Sequence, residues 1–123
     1  MKGYIGVTDI QWFNNLKSQY KLGEVNFWRK NTNNFKCLKT GDKFFFLVKN
    51  NKNNKEERKV LGVATFIRYE VLSILEAWEK YKIGNGVNNI GEFYHKITNL
   101  YEPSIGNSKI GCIILKDVEF FKN

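Results

Sequence analysis

The sequence has a single histidine, His95, a single proline, Pro103, one methionine and two cysteines, Cys37 and Cys112. A closed zinc site takes four Cys or His ligands at short spacings, so no zinc finger can be assembled from this set. A nuclease centre built on paired histidines is excluded for the same reason. The start, Met1-Lys2-Gly3-Tyr4, leads straight into β-prone sequence without a signal peptide, so the two cysteines are expected as reduced thiols of a cytoplasmic protein. No apolar run approaches the ~18 residues of a membrane span, and no membrane partner is expected. Gly-x-Ser-x-Gly, Walker and Gly-x-Gly-x-x-Gly patterns are missing too, which leaves acyl transfer and nucleotide hydrolysis without support.

What is present fits one folded unit, residues 1–123, with 42% hydrophobic and 26% charged residues. Twenty Lys and Arg against twelve Asp and Glu give a formal charge of +8, beside ten Phe, six Tyr and three Trp. Positive charge with many flat rings favours a partner that carries negative charge and stackable bases. Part of the charge needs discounting, because lysine far outnumbers arginine and asparagine is abundant, a bias that A-rich coding sequence also produces.

The spacing of apolar residues predicts the elements. Tyr4-Ile5-Gly6-Val7 reads as a strand, and Thr8 or Asp9 can cap a helix carrying Trp12, Phe13 and Leu16. Glu24-Val25-Asn26-Phe27-Trp28 reads as a strand with Asn26 and Trp28 on one face and Val25 and Phe27 on the other. Lys39-Thr40-Gly41-Asp42 is a turn, and the following Lys43–Lys49 run is apolar on both faces, as a central strand would be. Residues 50–58 form a polar loop before a strand from Val60 to Tyr69, in which Gly62 suggests a bend. Ile74, Leu75, Trp78 and Tyr81 mark a second helix, closed by Gly84-Asn85-Gly86. A third, capped by Asn88 or Asn89, carries Ile90, Phe93, Tyr94, Ile97 and Leu100. Ile110–Leu115 and Val118–Phe121 read as two closing strands separated by Lys116-Asp117. The order predicts an α+β domain: a bent sheet or small barrel with about three helices, whose closure would remove exposed strand edges.

Five blocks in this order resemble a known family: Gly3–Asp9 with Trp12, Glu24–Trp28, Leu38–Asp42 with its phenylalanine strand, Leu72–Glu79, and Ile110–Leu115. They resemble the N-terminal domain of a group of bacterial HNH endonucleases, a PUA-like domain similar to EVE, YTH, ASCH and SRA domains. The resemblance implies a PUA-like pseudo-β-barrel that reads a modified base flipped out of double-stranded DNA, modified cytosine being the first expectation. It further implies that the reader directs a nuclease, in the same or another chain, to modified or foreign DNA in bacterial defence and restriction. The HNH part cannot be drawn from His95 alone, so this chain is expected to bind and not to cut. It needs no cofactor or metal for that role and would work near the nucleoid. A YTH-like or ASCH-like RNA-binding role is the alternative.

A base reader needs an aromatic wall and a few fixed polar groups. Asn26 and Trp28 supply both on one strand face, and related EVE domains carry an Asn lining the pocket in the matching segment. Trp28 packed under a helix is the plain alternative. Thr8 and Asp9 sit where the resemblance puts a pocket wall, although Asp9 serves equally well as an N-cap. Trp12, Trp78, Tyr69 and Ser73 complete the pocket candidates. Both tryptophans also fit apolar helical stripes, and Ser73 also fits a helix start. Arg29, Lys30, Lys49, Lys52, Lys55, Arg58 and Lys59 are the candidates for phosphate contact. Asp42 with Glu57-Arg58-Lys59 superficially matches a magnesium nuclease pattern, but Glu57 falls in the polar loop and two fixed carboxylates are required.

Overall fold

The computed structural model describes residues 3–19, 22–49, 58–98 and 109–122. The fold is α+β, with five strands, three helices and a sheet curled into a half-barrel. Strand β1 (Gly3–Asp9) leads into helix α1 (Ile10–Lys17), followed by β2 (Val25–Arg29), β3 (Lys43–Lys49) and the long β4 (Arg58–Ser73). Helix α2 (Ile74–Tyr81), a 3-10 turn at Lys82–Asn85, helix α3 (Ile90–Thr98) and β5 (Lys109–Phe120) complete the chain. Sheet order is β1-β3-β4-β5-β2, with β1 and β3 parallel and every other pair antiparallel. Among the described residues the sheet does not close, so β1 and β2 remain as its two edges.

Local chemistry fixes where the helices begin. Asp9 caps α1, its Oδ1 accepting from the Trp12 amide at 2.7 Å. Ser73 and Glu76 form a reciprocal capping box on α2, and Asn89 accepts from the Glu92 amide at the start of α3. Two strands run longer than their sequence suggests. β4 begins at Arg58 and ends at Ser73, with register shifts near Phe46 opposite Gly62 and again between Phe66 and Arg68. At Gly62 a Cβ would lie 2.9 Å from the Glu119 carbonyl, so glycine permits this close approach. The two expected closing strands form the single strand β5, because Asp117 adopts a left-handed φ of 52° and absorbs the irregularity without ending the pairing.

Burial alternates along β5 between two cores. Ile113 and Leu115 join Phe13, Leu16, Phe44, Phe46 and Phe66 under α1, inside the half-barrel. Ile110, Cys112 and Ile114 face the other way and meet Ile74, Ala77, Phe93 and Ile97 of α2 and α3. Each fully buried Ile, Leu or Phe contributes about 1.5–3 kcal/mol of transfer free energy, so this one strand anchors both layers. Burial also pushes the Cys112 thiol up to about 11.

A polar network ties β4 to α2 and to the approach to β2. Arg68 bonds Glu24, Glu70 and the Tyr81 hydroxyl, while Lys80 and Tyr81 donate to Glu70. Burial disfavours the Glu70 carboxylate, yet the bonds from Lys80 and Tyr81 outweigh it and hold its pKa below the ordinary value. Burial and the bond to Glu70 push the Tyr81 hydroxyl well above the usual tyrosine range.

The segment after α2 is packed tightly. Gly86 has φ 78°, and a Cβ there would lie 2.2 Å from the Trp12 ring. Gly86→Ala is expected to lower stability in urea unfolding by about 2–4 kcal/mol, from left-handed strain plus overpacking. Gly41→Ala, with φ 101° but open space around it, should cost only the backbone part, about 1–2 kcal/mol. Equal losses at the two positions would contradict the packing of Gly86 on Trp12.

Candidate functional site

A slot of about 280 Å3 opens between the two edge strands, where the half-barrel fails to close. Val7, Thr8 and Asp9 at the end of β1 form one side, with Trp12 from the first turn of α1 behind them. Phe27, Trp28 and Arg29 of β2 form the other, and Lys49 stands where β3 ends. Six of the residues singled out from sequence therefore meet at one place: Thr8, Asp9, Trp12, Trp28, Arg29 and Lys49. Val7 and Phe27 join them. Phe27, on the Val25 face of its strand, packs against the core but is only half-buried, and the gap beside β2 leaves part of its ring on the slot.

The aromatic wall is rigid. Trp12 meets Phe27 edge to face at 5.4 Å and is only 3% exposed, so it backs the slot while packing in the core. Trp28 is half-buried against Phe93 of α3 at 5.4 Å. Both indole N–H groups donate to one acceptor, the Asn85 carbonyl, Trp12 at 2.9 Å and Trp28 at 3.0 Å. The Asn85 side chain is wholly buried: its amide donates to the Ala77 and Lys82 carbonyls, and its Oδ1 accepts from Asn26 Nδ2 at 2.8 Å. Asn85 thus sets the positions of both tryptophans and of Asn26. In the sequence it reads only as part of a glycine turn; the signal was a polar residue enclosed by glycines, which packs where larger neighbours would not fit.

Asn26 shares the Trp28 face, as alternation requires, but lies behind the slot and does not line it. It is fully buried, and among the described residues its Oδ1 has no hydrogen-bond partner. An unmatched buried acceptor costs about 1–3 kcal/mol, so Asn26 is held in place by its donor side.

The other candidates are dispersed. Tyr69 stands apart from the slot and packs on Phe35, with the Arg29 guanidinium over both rings at 5.2 and 5.4 Å. Arg29 also donates to the Asn31 and Asn33 carbonyls, so its charged end organises the loop after β2. Gly111 makes room for this arrangement, since a Cβ there would meet the Asn31 carbonyl at 2.3 Å. Ser73 spends its hydroxyl on the capping box, and Trp78 packs at the margin of the α2–α3 core. Neither touches the slot.

Around the slot mouth the charge is mixed. Asp9 Oδ2 faces Lys96 of α3 at 3.5 Å. Arg58 and Lys59 pair in register with Lys49 and Val48, which brings three cations to the end of the β3–β4 ladder beside the slot. Lys30 follows β2 and is exposed. Lys52, Lys55 and Glu57 lie outside the described residues. Asp42 accepts from the Lys39 amide and closes the turn before β3. Among the described residues, no group of three His, Cys, Asp or Glu side chains could hold a metal, and no helix is long and apolar enough to cross a membrane. No protein-family model matches the chain, and no curated protein matches it in sequence.

The Asn85 arrangement predicts coupling between distant sequence positions. Asn85→Ala leaves the Asn26 donor buried and unmatched and is expected to cost about 2–4 kcal/mol in urea unfolding. Asn26→Ala should remove much of that penalty when combined with it, so that the double variant loses clearly less than the two single losses together. Strict additivity would show that the two amides do not act as a pair.

Proposed function

We propose that this domain binds nucleic acid and receives one nucleobase, a modified cytosine first, in the slot between β1 and β2, in the manner of PUA-like readers. The observation that carries this reading is the slot itself: an opening with aromatic walls, oxygen acceptors on one side and cations at its mouth. At about 280 Å3 it falls just under the ~300–1,000 Å3 range of drug-sized sites, which suits a single base. Phe27 and Trp28 offer ring surface for stacking, worth about 1–3 kcal/mol per base. Thr8 and Asp9 offer oxygens to an exocyclic amine, and Asp9, already committed to the α1 cap and to Lys96, is fixed in direction. Lys49, Arg58 and Lys59 stand where the flanking phosphates of an extruded nucleotide would pass.

Stacking against a wall that is already fixed avoids the ordering cost of assembling a pocket on binding. The base still has to leave its stack at a cost of a few kcal/mol, and a modification that fills the apolar side near Val7 would be selected by contact area. In this reading the domain is a recognition module, and any cleavage belongs to a nuclease in the same or another chain.

Fluorescence anisotropy with otherwise identical duplexes tests this. A duplex with one modified cytosine is expected to bind at least tenfold more tightly than its plain counterpart at fixed salt. Trp28→Ala should abolish the difference, with circular dichroism confirming the fold, and Lys49→Ala should weaken both duplexes alike. Thr8→Val, which replaces the hydroxyl with a methyl of similar size, gives a second variant that keeps the side chain's shape. Equal affinity for the two duplexes, unaffected by Trp28→Ala and Thr8→Val, contradicts the reading. Tighter binding of single-stranded RNA in competition would assign the slot to RNA.

A further inference from the structure

The outer face of the half-barrel is covered unevenly. Helices α2 and α3 close it over β5, β2 and the second half of β4, but, among the described residues, leave it bare over β1, β3 and the first half of β4. In strand register, Ile5, Phe45 and Val63 stand side by side on that bare face, and Val7, Leu47 and Val60 form the next row. Phe121 extends the second row, its amide bonded to the Leu61 carbonyl. Ile5, Val7, Val60 and Phe121 are 57%, 46%, 39% and 36% exposed, and Phe45, Leu47 and Val63 belong to neither core. Isolated exposed apolar residues are ordinary, but a continuous band over three adjacent strands marks a contact surface.

Charge decides what that surface fits. One border of the band carries Lys43 and Lys116, in register with Gly3 and Thr65, and the other carries Lys49 and Arg58. The acids nearby are Glu119, beside Val63; Asp9, in register with Lys49 and facing Lys96; Asp42, which precedes Lys43 and accepts from the Lys39 amide; and Asp117, which follows Lys116. A second copy docked face to face about β3 is disfavoured: a two-fold axis along the strands brings Lys43 onto Lys43 and Lys49 onto Lys49, and one across them brings Lys43 onto Lys49. Nucleic acid would match the borders but cover the aliphatic centre with polar groups that find no partner there.

We propose that this bare face docks a protein partner whose contact surface has an apolar centre and acidic margins. Val7 and Lys49 belong both to the band and to the slot, so the partner sits directly beside the slot mouth. That position suits an effector acting on whatever the slot holds.

A random peptide library displayed on phage, panned against the whole domain, tests the proposal. Enriched sequences are expected to combine apolar residues with Asp and Glu. Synthetic versions should bind at least tenfold more weakly to the Ile5→Gln/Val60→Gln variant, which removes the apolar surface without changing the charge. Ile5→Thr/Val60→Thr, which keeps strand-forming residues, should lose binding in the same direction and guards against misfolding. Duplex binding should be unchanged in both variants, since neither residue lines the slot. The proposal is overturned if no peptide is enriched that depends on this face, or if the enriched peptides lack acidic residues. It is equally overturned if sedimentation shows a dimer that the variants dissociate, or if duplex affinity falls with the substitutions, which would give the face to a second copy or to nucleic acid.

Discussion

The carbonyl of Asn85 accepts from the indoles of Trp12 and Trp28 at once; Trp28 belongs to the edge strand β2, and Trp12 to the helix α1 that directly follows the other edge strand, β1. A β-sheet that curls without closing leaves two unpaired edges with no ladder between them to set their distance. Here a single backbone oxygen, fixed by a buried amide that is itself bonded on three sides, does so. Gly84 and Gly86 allow it, because a Cβ on Gly84 would meet the Glu24 carbonyl at 2.4 Å and one on Gly86 would enter the Trp12 ring. The slot's width is therefore a property of the α2–α3 connection rather than of the strands that line it.

The same arrangement assigns separate tasks to the aromatic residues. Phe13, Phe44, Phe46 and Phe93 are fully buried and give the two layers their bulk. Trp12 packs in the core and backs the slot, while Phe27 and Trp28 keep part of their rings on it. Arg29, Phe35 and Tyr69 form a separate stack that holds the loop after β2. Basic charge concentrates where β3 ends and β4 begins beside the slot, so part of the chain's +8 has a defined location.

Much of this order is legible in the residues. Two-residue alternation gives the opposite faces of Val25-Asn26-Phe27-Trp28, and the caps at Asp9, Ser73 and Asn89 follow from short polar side chains before apolar helical stripes. Pairing is less accessible, because β1 joins β3 in parallel and β2 joins β5 across most of the chain, contacts that no local pattern encodes. The left-handed Asp117 merges two apparent strands into one, and a bulge is not marked by residue type alone. At the site, Thr8, Asp9, Trp12, Trp28, Arg29 and Lys49 are reachable from sequence because they cluster near strand ends. Asn85 is not, since its importance lies in what it reaches 57 to 73 positions away. The apolar character of the β3 run was equally visible, but whether its second face is covered depends on where the helices settle.

The central claim is that the Asn85-held slot between β1 and β2 receives a base, and the three tryptophans provide the most direct reading of it. In a 15N NMR titration with a duplex carrying one modified cytosine, the indole N–H resonances of Trp12 and Trp28 should shift together. That of Trp78, which lies outside the slot, should stay in place. A titration in which the duplex binds while the Trp12 and Trp28 indoles remain unmoved would contradict the account.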